Sequence, residues 1–264
     1  MKRCMMSCIL KDLSPQKIVK AARYCGMEAV DWVTLHQTAP SELKKITEDA
    51  GLYLAAHTML KYKFIKRQPD YLDDFKYSLE DAVAMGAPIL MLPPFPRQDQ
   101  TSLEDDRKAW TEYYAQAMPL AQQAGITLTL ESTGMKDSPI TTADEVLEVL
   151  HAVPGLKVTY DNGNVATADD PKSAYLSQKD YVVHFHLKDW KISDSPFPGA
   201  EKKRCGKYYA DVLIGKGDLE LRDFWNSIDS RGRTLFVTIE SFDFSGRQSR
   251  VESLKFVAEQ LRNW

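Results

Sequence analysis

Two histidines, a lysine and an aspartate fall within seven residues of this chain, in "HFHLKDW", His184 to Trp190. Only five histidines occur in the 264 residues, so the pairing invites a chemical reading. Neutral imidazole binds divalent metals and titrates near physiological pH. Correctly placed carboxylates or an ammonium beside it can take up or deliver a proton. Three acidic residues sit late in comparable apolar runs: Glu131 in "TLTLEST", Asp161 in "KVTYDNG" and Glu240 in "LFVTIES". Whether these groups meet depends on the face of the strand each one occupies.

Side chains alternate between the faces of a strand. Thr127, Thr129 and Glu131 share one face against Leu128 and Leu130; Thr238 and Glu240 oppose Val237 and Ile239; Thr159 and Asp161 oppose Val158 and Tyr160. Apolar faces belong against helices, so the acids point the other way. By the same parity Val183, Phe185 and Leu187 face helices while His184, His186 and Lys188 point inward. His186 should stand with the carboxylates. His184, roughly 6–7 Å lower at strand rise, reads as a packed, hydrogen-bonded core histidine. Three carboxylates converging on one imidazole perturb each other unless their charge is neutralised. A divalent cation removes that cost. A donor set rich in oxygen with one nitrogen suits Mn²⁺ or Mg²⁺, and is also compatible with Co²⁺ or Zn²⁺. The bland alternative is four rim residues paired with Lys and Arg.

The scaffold must bring strand ends together. Apolar, β-rich runs at 3–10, 29–35, 52–58, 88–94, 127–133, 157–163, 182–189 and 235–241 alternate with helical patterns. Ser14 with Pro15, and Ser41 in "APSELKKITEDAG", read as helix starts; Gly26, Gly51 and Gly125 read as helix ends. Further helices fit 141–152, 170–179, 218–230 and 247–262. Eight strand–helix units in this length predict an α/β fold, a (β/α)8 TIM barrel formed as a single domain over 1–264. In such barrels the strand ends form the reactive rim. A doubly wound sheet lacks support, since no G-x-G-x-x-G follows the first strand, and "GKG" at 215–217 reads as a turn. The stretch 190–215 reads as an irregular loop, long enough to suggest function or mobility.

Composition narrows the classes. A net charge of -3 gives no footprint for nucleic acid or an anionic membrane. No apolar run reaches the roughly 18 residues of a membrane span. The opening "MKRCMMSCIL" has too few apolar residues for a signal peptide and reads as the first strand. Cys4, Cys8, Cys25 and Cys205 form no C-x-x-C pair and read as reduced, mostly buried thiols, as in a cytoplasmic protein. Cys4 and Cys8 are placed on one strand face. The composition leaves a homo-oligomer open.

With these motifs in view, "LTLEST", "YDNGN", "HFHLKD" and "VTIES" resemble the sugar phosphate isomerase/epimerase superfamily with the xylose isomerase-like TIM barrel. That group includes ketose 3-epimerases, hydroxypyruvate isomerases, inosose dehydratases and an endonuclease IV-type branch. The resemblance implies one divalent metal on Glu131, Asp161, His186 and Glu240, with Glu131 and Glu240 also acting as acid and base on a small sugar or polyol. It implies a metal-dependent isomerase or epimerase of a sugar or sugar phosphate, moving a proton through a cis-enediolate. The alternative is a metal-dependent dehydratase of a keto-polyol such as an inosose. A non-catalytic sugar-binding barrel would have no need of the paired glutamates.

Departures limit the carry-over. Asn164 and Ile192 stand where the ketose 3-epimerases carry a substrate-binding histidine and an arginine. Asn164 can still bind a hydroxyl. "HLKD" resembles the inosose-dehydratase-like members, making Lys188 a substrate contact or acid, or else a rim salt bridge. His57, at the end of the third strand, is a further candidate for substrate or for support of the ligands, and His36 a weaker one. Trp32 and Trp190 could wall a sugar. Arg97, Lys202, Lys203 and Arg204 lie where a phosphate could be met. The nuclease chemistry uses a three-metal cluster with several additional histidines, one of them where this chain has Asn164, which speaks against that branch.

Overall fold

The alternating runs fold as predicted in the computed structural model, which describes residues 1–97, 102–243 and 246–264. Seven strands follow one another around the ring: β1 (Lys2–Met6), β2 (Ala29–Trp32), β3 (Tyr53–Thr58), β4 (Ile89–Met91), β5 (Thr127–Glu131), β6 (Lys157–Asp161) and β7 (Val182–Leu187). The chain then leaves the ring for an antiparallel sheet of β8 (Asp189–Ser193), β9 (Glu201–Lys202) and β10 (Tyr208–Val212). Finally β11 (Phe236–Ile239) enters between β7 and β1 and closes an eight-stranded parallel barrel. The (β/α)8 expectation is met.

Helices α1 (Pro15–Tyr24), α2 (Pro40–Asp49), α3 (Tyr71–Met85), α4 (Leu103–Gln123) and α5 (Ala143–Ala152) serve the first half. A single turn, α6 (Asn162–Val165), and then α7 (Pro171–Gln178), α8 (Leu221–Ser227) and α9 (Arg250–Arg262) serve the second. Their starts are set locally. Ser102, Asp170 and Ser249 accept backbone N–H groups in the first turns of α4, α7 and α9, and Thr142 with Glu145 forms a reciprocal capping box on α5. Ser14 occupies the cap position of α1 without a side-chain bond. Ser41 does not cap α2: Pro40 already opens the first turn behind Ala39, because its fixed φ suits that position.

The barrel wall separates two chemistries. Leu128, Leu130, Val158, Tyr160, Phe185, Leu187, Val237 and Ile239 are buried against the helices in the main apolar core. Inside the ring, Cys4, Ala29 and Ala55 form a separate small cluster. A polar layer also lines the interior: Thr129 Oγ1 meets Thr159 Oγ1 at 2.9 Å, Thr159 meets His184 Nδ1 at 3.4 Å, and His184 Nε2 meets Thr238 Oγ1 at 2.7 Å. His184 is therefore a hydrogen-bonded core residue, as its parity suggested.

Several strands are shorter than the apolar runs that predict them. The first ends at Met6, and Ser7–Leu10 forms a 3-10 turn, so Cys8 is not on the strand with Cys4. All four thiols are free; Cys4 and Cys25 are buried, but Cys205 is exposed. The 190–215 stretch is not irregular: β8 pairs with β10, and β10 with β9. The "GKG" turn is tied down by Asp189, whose carboxylate accepts the N–H groups of Gly215 and Gly217 at 2.9 Å each. A Cβ at Gly217 would lie 2.2 Å from Asp189 Oδ1, so only glycine allows that approach. No described helix is long and apolar enough to cross a membrane.

Candidate metal centre

Adjacent parallel strands deliver the four predicted ligands to one place. Glu131 ends β5, Asp161 ends β6, His186 lies near the end of β7 and Glu240 follows β11. In register, Thr159 is level with Glu131, and His186 is level with both Asp161 and Thr238. The ligand atoms of Glu131, Asp161, His186 and Glu240 all lie within 4.8 Å of one another. His186 Nδ1 is 2.6 Å from Glu131 Oε1 and 3.6 Å from Glu240 Oε2. Asp161 is fully buried and divides its carboxylate: Oδ1 accepts the Asn164 N–H at 2.8 Å, capping α6, while Oδ2 faces the cluster. Glu240, with a side chain 33% exposed, is the member most open to a ligand.

Three of these atoms (Glu131 Oε1, Asp161 Oδ2 and His186 Nδ1) are buried without a properly aligned hydrogen-bond partner. Leaving several such atoms bare in one small volume is costly. A divalent ion would satisfy all of them at once, and three carboxylates with one imidazole match an oxygen-preferring metal. The residues fit the group. Lys188 brings positive charge to the cluster: its Nζ lies 3.0 Å from Asp161 Oδ2, 3.0 Å from Glu240 Oε1 and 3.3 Å from Asn164 Oδ1. Gly163 makes room for it, since a Cβ there would fall 2.1 Å from Lys188 Cγ and 2.7 Å from Trp190 Nε1.

The charges shape one another. Burial pushes Asp161 up to about 7, against the pull of Lys188, with Glu240 and Glu131 adding repulsion. Burial works against charge on Lys188, yet Asp161, Glu240 and Glu131 outweigh it and hold the ammonium well above its ordinary range. His186 behaves likewise: burial opposes protonation, but Glu131 and Asp31 raise it well above the usual imidazole value. Glu240 is lowered, the burial penalty being overcome by Lys188 and His186. Burial, followed by the charge on His186, drives His184 down to about 3.

Asp31 was missed by sequence reasoning. Its Oδ2 lies 3.1 Å from His186 Nε2 and 4.0 Å from His184 Nε2, and its side chain is wholly buried. The available signal was a carboxylate in "AVDW", sharing the parity of inward Ala29 amid buried neighbours. His57 stands outside the four-residue cluster, its Nδ1 2.7 Å from the Trp32 carbonyl, and burial lowers its pKa. Asn164 abuts the cluster: its amide donates to Ser132 O at 2.8 Å and its oxygen faces Lys188. His36 stacks edge-on against Trp32. Trp32 walls no site: it is fully buried, with Nε1 donating to Thr47 of α2 at 3.0 Å. Trp190 packs near both Lys188 and Lys203 and donates to Gly163 O at 2.7 Å.

A cavity of about 140 Å³ reaches Glu131, His186 and Glu240. The rest of its lining is mostly apolar, including Met6, Val33, Leu60 and Phe95, with the unbonded hydroxyl of Thr58. Larger cavities of about 340 and 670 Å³ lie elsewhere, around Asp223 and Leu221, away from the four-ligand cluster; chemistry, not size, selects the smaller one. The basic residues considered for phosphate are committed to acids: Arg97 to Asp106 at 2.5 Å, Arg204 to Glu145 at 2.5 Å and Lys203 to Glu201 at 2.8 Å. Lys202 is exposed in β9.

A sequence profile of the xylose isomerase-like TIM barrel matches residues 19–262, and the chain belongs to that family. No curated protein matches the sequence. Among solved structures, the IolI protein with a bound zinc atom superposes with a TM-score of 0.79 at 15% identity, covering 99% of this chain and 96% of that one. The 3-keto-D-glucoside 4-epimerase YcjR from E. coli gives 0.76 at 14% identity, with 100% of both chains covered. The probable 3-DHS dehydratase AsbF from Bacillus anthracis gives 0.75 at 15%, covering 100% of this chain and 99% of that one. At these identities the likeness is one of fold.

Proposed function

We propose that this barrel is a divalent-metal-dependent isomerase or epimerase of a small sugar, sugar phosphate or related keto-polyol. The observation that carries this reading is the convergence of Glu131, Asp161, His186 and Glu240, with three of their buried atoms bare of hydrogen bonds. These four residues would hold the ion. The chemistry supplied by such an ion is Lewis-acid polarisation of a substrate carbonyl beside a hydroxyl, which acidifies the intervening C–H. Glu131 and Glu240 then divide the proton work: one takes the proton alpha to the carbonyl and the other returns one. Return to the opposite face of the same carbon epimerises; return to the neighbouring carbon isomerises. Glu240, being the more open, suits exchange with the substrate. The apolar lining gives C–H faces of the ligand a surface to pack on, and His57, Asn164 and Lys188 are the proposed substrate contacts or supports. Mn²⁺ or Mg²⁺ is the favoured ion on donor type; the zinc in IolI keeps Zn²⁺ in play.

One observation favours a second reading. Lys188 lies 3.0 Å from Glu240, so an ammonium stands beside the acid–base pair where it could hydrogen-bond a departing hydroxyl, as a dehydratase could use. The fold neighbour AsbF is described as a probable dehydratase.

The first experiment is metal stoichiometry on protein stripped and reloaded with Mn²⁺, beside Glu240→Gln. One tight site that weakens in the variant supports the proposal; no tight site overturns it, and three would favour nuclease chemistry. The loaded protein is then given ketoses and keto-polyols in D₂O. Deuterium entering alpha to the carbonyl with all hydroxyls retained supports isomerase or epimerase chemistry, whereas loss of water supports the dehydratase. Exchange undiminished in both Glu131→Gln and Glu240→Gln refutes the assigned acid–base pair.

A further inference from the structure

We infer that Asp31 is a positioning residue that fixes the ring of His186 with Nδ1 free for a metal ion. The inference rests on the metal reading above. His186 is used from both sides: Nδ1 faces Glu131 at 2.6 Å, while Nε2 faces Asp31 Oδ2 at 3.1 Å. A neutral imidazole carries one hydrogen, and its place decides which nitrogen can ligate. With the hydrogen on Nε2, Asp31 accepts it and the Nδ1 lone pair points at the carboxylate cluster. With the hydrogen on Nδ1, the ring would donate to Glu131, and two ligands would be spent on each other.

Asp31 selects the first arrangement because a carboxylate has no hydrogen to offer. It is fully buried on β2, and among the described residues its ion-pair partners within 4.0 Å are His184 and His186. His184 does not compete for it: its Nε2 is bonded to Thr238 at 2.7 Å and stands 4.0 Å from Asp31. A carboxylate in such a place costs several kcal/mol of desolvation unless a specific partner compensates. Carboxylates that accept from the outer nitrogen of a metal-bound histidine orient the ring and strengthen it as a ligand.

The test uses Zn²⁺, which is diamagnetic, on the full chain. Competition against a chromophoric chelator compares wild type with Asp31→Asn, which keeps the shape and removes the charge. Zn²⁺ affinity is expected to fall about 10- to 100-fold. In parallel, ¹⁵N-resolved NMR of the histidine rings reads which nitrogen carries the hydrogen. In Zn²⁺-loaded wild type His186 should show a protonated, exchange-protected Nε2 and a hydrogen-free Nδ1, and in Asp31→Asn the Nε2–H resonance should shift or lose protection. A loss of packing alone would lower stability without moving those ring signals. Equal affinities, or a Zn²⁺-loaded wild-type His186 with hydrogen on Nδ1, overturn the inference. The wild-type spectrum decides even if the variant does not fold. If wild type takes up no Zn²⁺ or Mn²⁺, the metal reading itself has failed.

Discussion

Replacing Lys188 with methionine should destabilise the metal-free protein strongly, the metal-loaded protein little, and tighten metal binding. Lys188 Nζ contacts two carboxylates at 3.0 Å each, Asp161 and Glu240, within a cluster that carries a third. At that separation and an effective dielectric near 20, each contact represents about 5 kcal/mol of gross attraction. Desolvation cancels most of it. Removing one side of a buried pair costs about 3–5 kcal/mol net, and the partial exposure of Glu240 argues for the lower end. A divalent ion between the same carboxylates replaces the lost positive charge, so the cost in loaded protein should shrink to about 1 kcal/mol. The difference, about 2 kcal/mol, closes the thermodynamic cycle as roughly 30-fold tighter metal binding in Lys188→Met. Urea unfolding with chelator and with saturating Mn²⁺ gives the two stabilities, and chelator competition gives the affinities independently. Equal destabilisation with and without metal, together with unchanged or weaker affinity, would refute the view that Lys188 and the ion share one set of carboxylates.

Two further outcomes follow from the same geometry. Gly163→Ala puts a methyl 2.1 Å from Lys188 Cγ and should cost about 1–3 kcal/mol in urea unfolding by forcing Lys188 and Trp190 apart; a cost below about 0.5 kcal/mol would mean the approach is loose. His184, held down to about 3 against about 6.5 in the unfolded chain, contributes stability that is complete above pH 6.5 and lost as pH falls towards 3, because only the unfolded state takes up the proton. His184→Asn should therefore remove a rise of up to about 1.4 kcal/mol per pH unit from the stability–pH curve between pH 4 and 6.5, so that the opposite slope from Asp161, common to both proteins, shows more steeply in the variant. Parallel curves would show that His184 already titrates in the folded protein.

The sequence determined the fold and the identity of the four clustered residues for one reason: period-two alternation. Leucines and valines that must face helices force Glu131, Asp161, His186 and Glu240 to the other side, and parallel pairing in chain order sets them on neighbouring strands. Ser14 with Pro15 marks the start of α1, because a proline's fixed φ suits the first helical turn and needs no distant partner. What the sequence left open depends on contacts between distant segments. The antiparallel sheet after β7 gives little strand signal because its strands are short and pair only with one another. By position alone Trp32 could wall a sugar or simply pack, and its bond to Thr47 turns it towards α2. Asp31 lies 155 residues from His186, and no local pattern announces that pairing. The same holds for Lys188, whose inward parity was legible but whose two carboxylate partners were fixed only when β6 and β11 closed around β7. Periodicity decided which way each side chain points. Only closure of the barrel decided which charges meet, because that depends on strand register and distance across the ring.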